Sequence, residues 1–268
     1  MNSGEVYEGV IRAANLGVEY NKRGTVTRAV EALDFRVRPG EFLCFLGTTG
    51  CGKSTTLNVL AGFVRPTTGS VYIGQTPIEG PGPDRGFVFQ DHALFLWKTV
   101  AGNIDFGPKL RGLPRDERRA RVDEYIKVVG LAGFEKSYPN ELSGGMRQRV
   151  GLARALANDP SVIMMDEPFG SLDAQTRAMM QELLLSVWER TNKTVIFVTH
   201  DVDEAMFLAD RIIVLTARPA RVKEEIDMPL PRPRTYEMVT SSRYVEIKRR
   251  VLELIREETF KAMRGAHS

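Results

Sequence analysis

The sequence predicts an α/β fold with a mostly parallel sheet, an N-terminal antiparallel β subdomain and an inserted α-helical subdomain. Four short segments are almost continuously apolar, which is typical of parallel strands covered on both faces. They are residues 42–47, 161–166, 194–200 and 211–216. Segments with helical patterning separate these strands. They are residues 54–62, 146–157, 174–191 and 202–209. Alternating apolar and polar residues at 30–38, ended by a Pro-Gly turn, predict antiparallel strands before the first apolar segment.

The domain organisation follows from changes in pattern along the 268 residues. We expect a main domain over 1–218, with a helical insertion at about 91–158 where no strand pattern occurs. A proline-stiffened segment at 228–234 then leads into an amphipathic stretch, so 219–268 is predicted to be a C-terminal extension. The apolar face of that stretch comprises Tyr244, Ile247, Val251, Leu254 and Ile255.

Composition and charge favour a soluble globular protein over a nucleic-acid-binding one. Hydrophobic residues make up 43% and charged residues 26%, and the net charge is only +3. No segment approaches the roughly 18 apolar residues that a membrane span requires. The first ten residues lack the basic and apolar pattern of a signal peptide. Cys44 and Cys51 are expected to be reduced thiols in a cytosol, since a disulfide would distort the glycine-rich loop containing Cys51.

A glycine-rich segment, GTTGCGKS, lies between a predicted strand and a predicted helix. It matches G-x-x-x-x-G-K-[ST] in the context that a phosphate-binding loop needs, which disfavours a plain glycine turn with a solvated lysine. The backbone amides would point inward to an anion, Lys53 would reach the β- and γ-phosphates, and the Ser54 hydroxyl would ligate Mg²⁺. The residues predicted to bind nucleotide here are Gly47, Thr48, Thr49, Gly50, Cys51, Gly52, Lys53, Ser54 and Thr55.

Polar side chains lie at the ends of two other predicted strands and at the end of the segment RGFVFQ, residues 85–90. We expect Asp166 to hold Mg²⁺ through water and Glu167 to polarise an attacking water as general base. The alternative is an ordinary acidic pair stabilised by a helix N-terminus. His200 is predicted to donate to a γ-phosphate, and Gln90 to orient water or to contact the metal. The alternative for both is a structural or solvated residue.

A second candidate anion site occurs in the segment ELSGGMRQR at 141–149. Two glycines at the start of a predicted helix leave its backbone amides exposed, and these amides can bind an anion. The segment contains no lysine that could bind a phosphate. Ser143 is also suitable as an ordinary N-cap of the helix. The sequence therefore raises the question of which anion this helix start serves.

Together these segments resemble the ATP-binding-cassette (ABC) ATPases. The stretch LSGGMRQRV lies after the phosphate loop and before MMDEPFGSLD and VTHD, and the resemblance covers about residues 10–216. It implies a RecA-like P-loop NTPase core that binds ATP and Mg²⁺ and hydrolyses ATP.

The resemblance also implies a role for each predicted residue. Residues 47–55 match the Walker A loop, while Asp166 and Glu167 match the Walker B aspartate and the catalytic glutamate. Gln90 matches the Q-loop glutamine, and His200 the switch histidine. The other nucleotide-binding positions are Tyr20, which would stack on adenine or else be a plain strand-end aromatic, the signature residues Ser143, Gly144 and Gly145, and Asp173 of the D-loop.

In this family two chains pair head to tail, so the resemblance implies a homodimer in which each ATP lies between one Walker A loop and the partner's signature motif. The signature needs no lysine because the facing chain supplies one. A single cassette without a membrane span indicates an importer subunit working with two permease subunits and an extracytoplasmic solute-binding protein. Its place would be peripheral, on the cytoplasmic face of the inner membrane, with no nucleic-acid partner. The alternative is a non-transport ABC ATPase acting on DNA or ribosomes, which usually carries coiled coils or tandem cassettes.

An apolar run at 94–97, LFLW, is expected beside Gln90, where importers receive a permease helix. Its alternative is core of the helical subdomain. This run, with LRGLP and LPRPR further along, resembles the nitrate, sulfonate and taurine importer group. The solute itself is selected by the permease and the binding protein.

Overall fold

The computed structural model describes residues 11–22, 24–91 and 93–265. The first ten residues, on which the signal-peptide expectation rests, lie outside the described residues. The chain divides into a first unit, Met1–Gly82 with Thr194–Ser268, and a second unit, Pro83–Lys193. The predicted domain boundary at residue 218 stays a prediction.

The strands and helices are numbered here in chain order. The strands are β1 (Ile11–Lys22), β2 (Thr25–Val37), β3 (Phe42–Leu46), β4 (Thr68–Ile73), β5 (Thr76–Pro77), β6 (Arg85–Val88), β7 (Val162–Asp166), β8 (Thr194–Thr199), β9 (Arg211–Leu215) and β10 (Val222–Asp227). The helices are α1 (Lys53–Leu60), α2 (Val100–Ile104), α3 (Phe106–Leu110), α4 (Arg115–Val128), α5 (Gly144–Ala157), α6 (Ala174–Thr191), α7 (Val202–Leu208) and α8 (Ser242–Gly265).

The first unit contains two groups of strands. An antiparallel sheet has the order β2-β1-β4-β5, which confirms the antiparallel strands predicted near the N-terminus. The other group has the order β10-β9-β3-β8, in which β3 runs parallel to both β8 and β9. Every residue of β3, β8 and β9 is buried, so their continuous apolar patterns reflect cover on both faces.

The helix α8 is the last element of the first unit and contacts α7 and β9. Tyr244, Ile247, Val251 and Leu254 are buried on one face, as the amphipathic pattern predicts, and Ile255 is half-buried. Across the described residues, none of the helices is both long and apolar enough to cross a bilayer.

The second unit pairs β6 and β7 in parallel and adds the helices α2 to α6. Between β6 and β7 the described residues form helices and connecting segments without a strand, in agreement with the predicted helical insertion. An apolar core holds this insertion together. It comprises Val100, Ile104, Val122, Ile126, Val129, Leu131, Leu142, Val150, Ala153 and Ala157.

Candidate nucleotide-binding site

The glycine-rich loop joins β3 to α1 and wraps around its own lysine. Lys53, the first residue of α1, is only 3% exposed. Its ammonium donates to the carbonyl oxygens of Gly47 at 2.9 Å and Thr48 at 3.0 Å. The amide of Cys51 also donates to the Thr48 oxygen, at 3.2 Å. The loop therefore holds a cationic group at its centre, which suits a phosphate-binding site.

Two of the loop glycines adopt a backbone conformation that side chains rarely allow. Gly50 has φ 76° and Gly52 has φ 123°. A Cβ atom on Gly52 would lie 2.5 Å from the carbonyl oxygen of Ala29. Glycine at position 52 is therefore a steric requirement of this loop.

His200 leaves the same edge of the sheet as the loop. Leu46, the last residue of β3, pairs in parallel with Thr199, the last residue of β8. Gly47 and His200 each follow directly, and the side chain of His200 is exposed. The first unit thus places the predicted switch histidine beside the strand that ends in the phosphate loop.

Tyr20 also belongs to the first unit. It lies near the end of β1 opposite Thr27 of β2, and 43% of its surface is exposed. An aromatic face is therefore accessible at this point, although its predicted contact with adenine stays a prediction.

In the second unit, the acidic pair ends the buried strand β7. Asp166 is the last residue of the strand and is half-buried. Glu167 follows with φ 43°, in the left-handed region that glutamate rarely adopts. Its carbonyl oxygen accepts a hydrogen bond from the amide of Gly170 at 3.2 Å. Glu167 therefore lies in a strained backbone conformation of the kind that clusters at functional sites.

Gln90 lies at the same edge of the second unit as the acidic pair. Val88 pairs in parallel with Met165, and Gln90 and Glu167 each follow two residues later. A Cβ atom built on Gly170 would be 4.0 Å from the Gln90 Nε2 atom. The structure therefore brings the predicted Q-loop amide close to the turn after β7.

The signature segment begins α5. Ser143 caps this helix, and its hydroxyl accepts a hydrogen bond from the Met146 amide at 3.3 Å. A Cβ atom on Gly145 would lie 2.6 Å from Thr176 Cγ2 of α6, so glycine is required for this close packing. Asp173 caps α6 and accepts from the Thr176 amide at 3.0 Å and its hydroxyl at 2.7 Å. These hydrogen bonds lower the pKa of Asp173.

The predicted residues therefore fall into two groups. The first unit contains the loop 47–55, His200 and Tyr20, and the second contains the other predicted positions. Those of the second unit are Gln90, Ser143, Gly144, Gly145, Asp166, Glu167 and Asp173.

The sequence interpretation missed two arginines that cap α7, the helix after His200. Arg232 donates to the Leu208 carbonyl oxygen at 2.6 Å. The buried guanidinium of Arg234 donates to the Met206 and Phe207 oxygens at 2.8 and 3.1 Å. These oxygens belong to the last helical turn and have no partner within a helix. Arg232 lies 24 residues after Leu208, with β9 and β10 between, so no local capping pattern could reveal either contact, and the sequence pattern of these arginines served only to indicate a subgroup.

Comparison with known proteins identifies the family. The model of the ABC transporter family matches residues 30–170. An uncharacterized ABC transporter ATP-binding protein of Methanocaldococcus jannaschii is 45% identical, over 95% of this chain and 94% of its own. A nitrate import ATP-binding protein of Synechocystis is 43% identical, over 88% of this chain and 90% of its own. A taurine import ATP-binding protein of Burkholderia pseudomallei is 45% identical, over 92% of this chain and 97% of its own.

Solved structures give the same result. A dimeric ATP-binding cassette in a post-hydrolysis state, bound to ADP and phosphate, has a TM-score of 0.72 and 32% identity, and the match covers 82% of this chain and all of that one. The structure of cbiO1 from Clostridium perfringens, part of the ABC transporter complex cbiONQ, has a TM-score of 0.74 and 27% identity, and the match covers 95% of this chain and 99% of that one. The predicted fold class and family are both confirmed. The chain belongs to the ABC transporter ATPase family.

Proposed function

We propose that this chain is the ATP-binding and ATP-hydrolysing subunit that energises solute import through an ABC transporter of the nitrate, sulfonate and taurine type. The observation that carries the proposal is the phosphate loop wrapped around the buried ammonium of Lys53, at the sheet edge from which His200 also emerges. The relatives named as nitrate and taurine import proteins support import over the alternative, an ABC ATPase acting on DNA or ribosomes.

The proposed division of labour uses the chemistry of each side chain. Lys53 and the loop amides bind the phosphates, and Glu167 polarises the attacking water. Ser54, Gln90 and Asp166 would hold Mg²⁺, since hydroxyl, amide and carboxylate oxygens are the hard ligands that this cation prefers. When bound, Mg²⁺ neutralises charge on the phosphates.

The remaining residues complete the proposed nucleotide site. His200 donates to the γ-phosphate, and Tyr20 stacks on adenine. The amides of 143–145 and Asp173 face the nucleotide held by a second copy of the chain, which explains why the signature helix needs no lysine.

The proposed assembly is a homodimer of this chain on two permease subunits, served by an extracytoplasmic solute-binding protein. Its position is peripheral, at the cytoplasmic face of the inner membrane. Dimeric cassettes among the structural relatives support the pairing of two chains.

Two substitutions test ATP hydrolysis. Lys53→Ala should abolish ATP binding because it removes the cation at the centre of the loop. Glu167→Gln should keep binding and lose turnover, since the amide cannot act as a base. Equilibrium binding and phosphate release measure the two effects separately. Wild-type turnover in Glu167→Gln would refute the general-base assignment.

Mixed dimers test whether each site is shared between two chains. With Glu167→Gln in every chain, Lys53→Ala and Ser143→Arg on separate subunits should damage the same site and leave the other able to trap Mg²⁺-ATP. Both changes on one subunit, opposite an otherwise unchanged partner, should damage both sites. Trapping only in the second arrangement would show that each chain builds its own site.

A further inference from the structure

An arginine far along the chain holds one carbonyl of the phosphate loop from outside. The Nε and Nη2 atoms of Arg218 donate to the Gly50 oxygen at 3.1 and 2.9 Å, across 168 residues of sequence. Both residues belong to the first unit. The contact joins the loop to the segment that follows β9.

This contact fixes the direction of a loop amide. The Gly50 carbonyl shares its peptide plane with the Cys51 N–H, and in a trans peptide these two groups point in opposite directions. The carbonyl faces Arg218, while the Cys51 amide donates to the Thr48 oxygen within the loop at 3.2 Å. A rotation of this peptide would break both hydrogen bonds together.

The segment that carries the arginine is itself anchored by α8. The amide of Ala217 donates to Glu258 Oε2 at 2.8 Å. Glu258 is 1% exposed, and its other oxygen accepts from Lys223 and Lys261, each at 2.8 Å. The residue before Arg218 is therefore bound to a buried carboxylate of the C-terminal helix.

We propose that Arg218 is a positioning residue for nucleotide binding. It holds the Gly50 peptide, and with it the turn between Thr48 and Cys51, so that the loop already has its shape before the nucleotide arrives, and α8 holds the arginine segment through Glu258. This inference rests on the proposed function of the loop as the ATP site. Preorganisation of this kind raises affinity because the loop need not be ordered at the moment of binding.

The exposure of Arg218 separates this role from a structural one. Its side chain is exposed, so its removal should change the thermal stability of the protein little. Arg221 provides a matched control, since it is an exposed arginine three positions further on that binds Glu31 at 2.7 Å rather than the loop.

The test uses the full chain with Arg218→Ala, Arg218→Lys and Arg221→Ala. Hydrogen exchange of the loop amides is measured in the absence of nucleotide. ATP affinity is measured by competition with a fluorescent ATP analogue. We expect Arg218→Ala to speed exchange in the loop and to weaken ATP binding roughly fivefold to tenfold, as loss of a typical solvent-exposed hydrogen bond predicts. Arg218→Lys, which keeps a charged donor, should recover most of both losses, and Arg221→Ala should change neither.

Several results would overturn the inference. Weaker ATP binding with unchanged loop exchange would mean that Arg218 contacts the nucleotide directly. Unchanged affinity in Arg218→Ala, or equal losses in Arg221→Ala, would remove the positioning role. Absence of ATP binding by the unaltered chain would instead refute the proposed function, while the nucleotide-free exchange measurement would still test the contact between Arg218 and the loop.

Discussion

The hydroxyl of Thr199 donates a 2.7 Å hydrogen bond to the carboxylate of Glu204, and both side chains are buried. The same hydroxyl accepts a hydrogen bond from the Asp201 amide at 3.0 Å. Asp201 in turn caps α7 by accepting from the amides of Asp203 and Glu204. The backbone on both sides of His200 is therefore held by hydrogen bonds that reach into the interior of the first unit.

This arrangement predicts the effect of Thr199→Val. The substitution conserves shape but removes a hydrogen bond to a buried carboxylate, so the free energy of unfolding should fall by about 1–3 kcal/mol. ATP hydrolysis should fall further than ATP binding, because the segment that carries His200 loses its anchor. Thr199→Ser keeps the hydroxyl and serves as the control in urea unfolding and turnover measurements. Equal turnover in the two variants would contradict the prediction.

The apolar run at 94–97 contains both surface and core residues. Leu96 and Trp97 are 69% and 74% exposed, whereas Phe95 is half-buried and its ring lies 4.4 Å from that of Phe106. We expect Leu96→Ser with Trp97→Ser to weaken association with permease-containing membranes while the melting temperature changes little. Phe95→Ser should instead lower the melting temperature because it removes packing. Membrane pull-downs beside thermal melts distinguish the two, and undiminished membrane association of the double variant would contradict the proposed permease contact.

The arginine cap of α7 predicts a loss of stability in Arg234→Met. The guanidinium is 7% exposed and binds carbonyl oxygens of the last turn, and burial lowers its pKa to about 10. Methionine fills similar space but leaves these oxygens without donors, so the free energy of unfolding should fall by about 2–4 kcal/mol.

The control for this change is Arg243→Met, which removes an exposed arginine paired with Glu246 on α8. Its effect should stay within about 0.5 kcal/mol. Urea unfolding of both variants measures the difference, and equal losses would show that Arg234 is not a cap of the kind described.

The carboxylate of Glu258 should make the free energy of unfolding depend on pH. Burial alone would raise its pKa, but hydrogen bonds from Lys223, Lys261 and the Ala217 amide outweigh burial and lower the pKa from 4.5 to about 2. Because the folded state binds this proton more weakly than the unfolded chain, the carboxylate stabilises the fold above the unfolded pKa. This contribution is lost as the pH falls from about 4.5 to about 2.

The matching measurement compares the unaltered chain with Glu258→Gln in urea. The variant should be less stable by about 1–2 kcal/mol at neutral pH, a value reduced from the full pKa shift because Lys261 is exposed to solvent. The difference between the two proteins should shrink as the pH is lowered toward about 3. A difference that stays constant over this range would rule out the ion-paired carboxylate as its origin.

Local patterns alone were enough to predict much of this protein. The buried strands β3, β7, β8 and β9 appear as continuous apolar segments, because a strand covered on both faces has no polar side to alternate with. The phosphate loop could also be predicted from the sequence, because its contacts are local. Its lysine binds carbonyl oxygens only five and six residues away, and Gly50 and Gly52 adopt positive φ angles within the loop itself. Sequence therefore determined the class of fold, the loop and the strand-end positions of the candidate site.

Contacts between distant segments were decided only by the tertiary structure. Glu41 and Arg211, which are 170 residues apart, form a buried ion pair with a 2.7 Å contact, although charged residues in a sequence usually indicate the surface. Likewise, only the fold places Arg218 against Gly50, which lies 168 residues earlier in the sequence. Such pairs leave no periodic signal, because their geometry depends on how strands and helices pack and not on the spacing of residues along the chain.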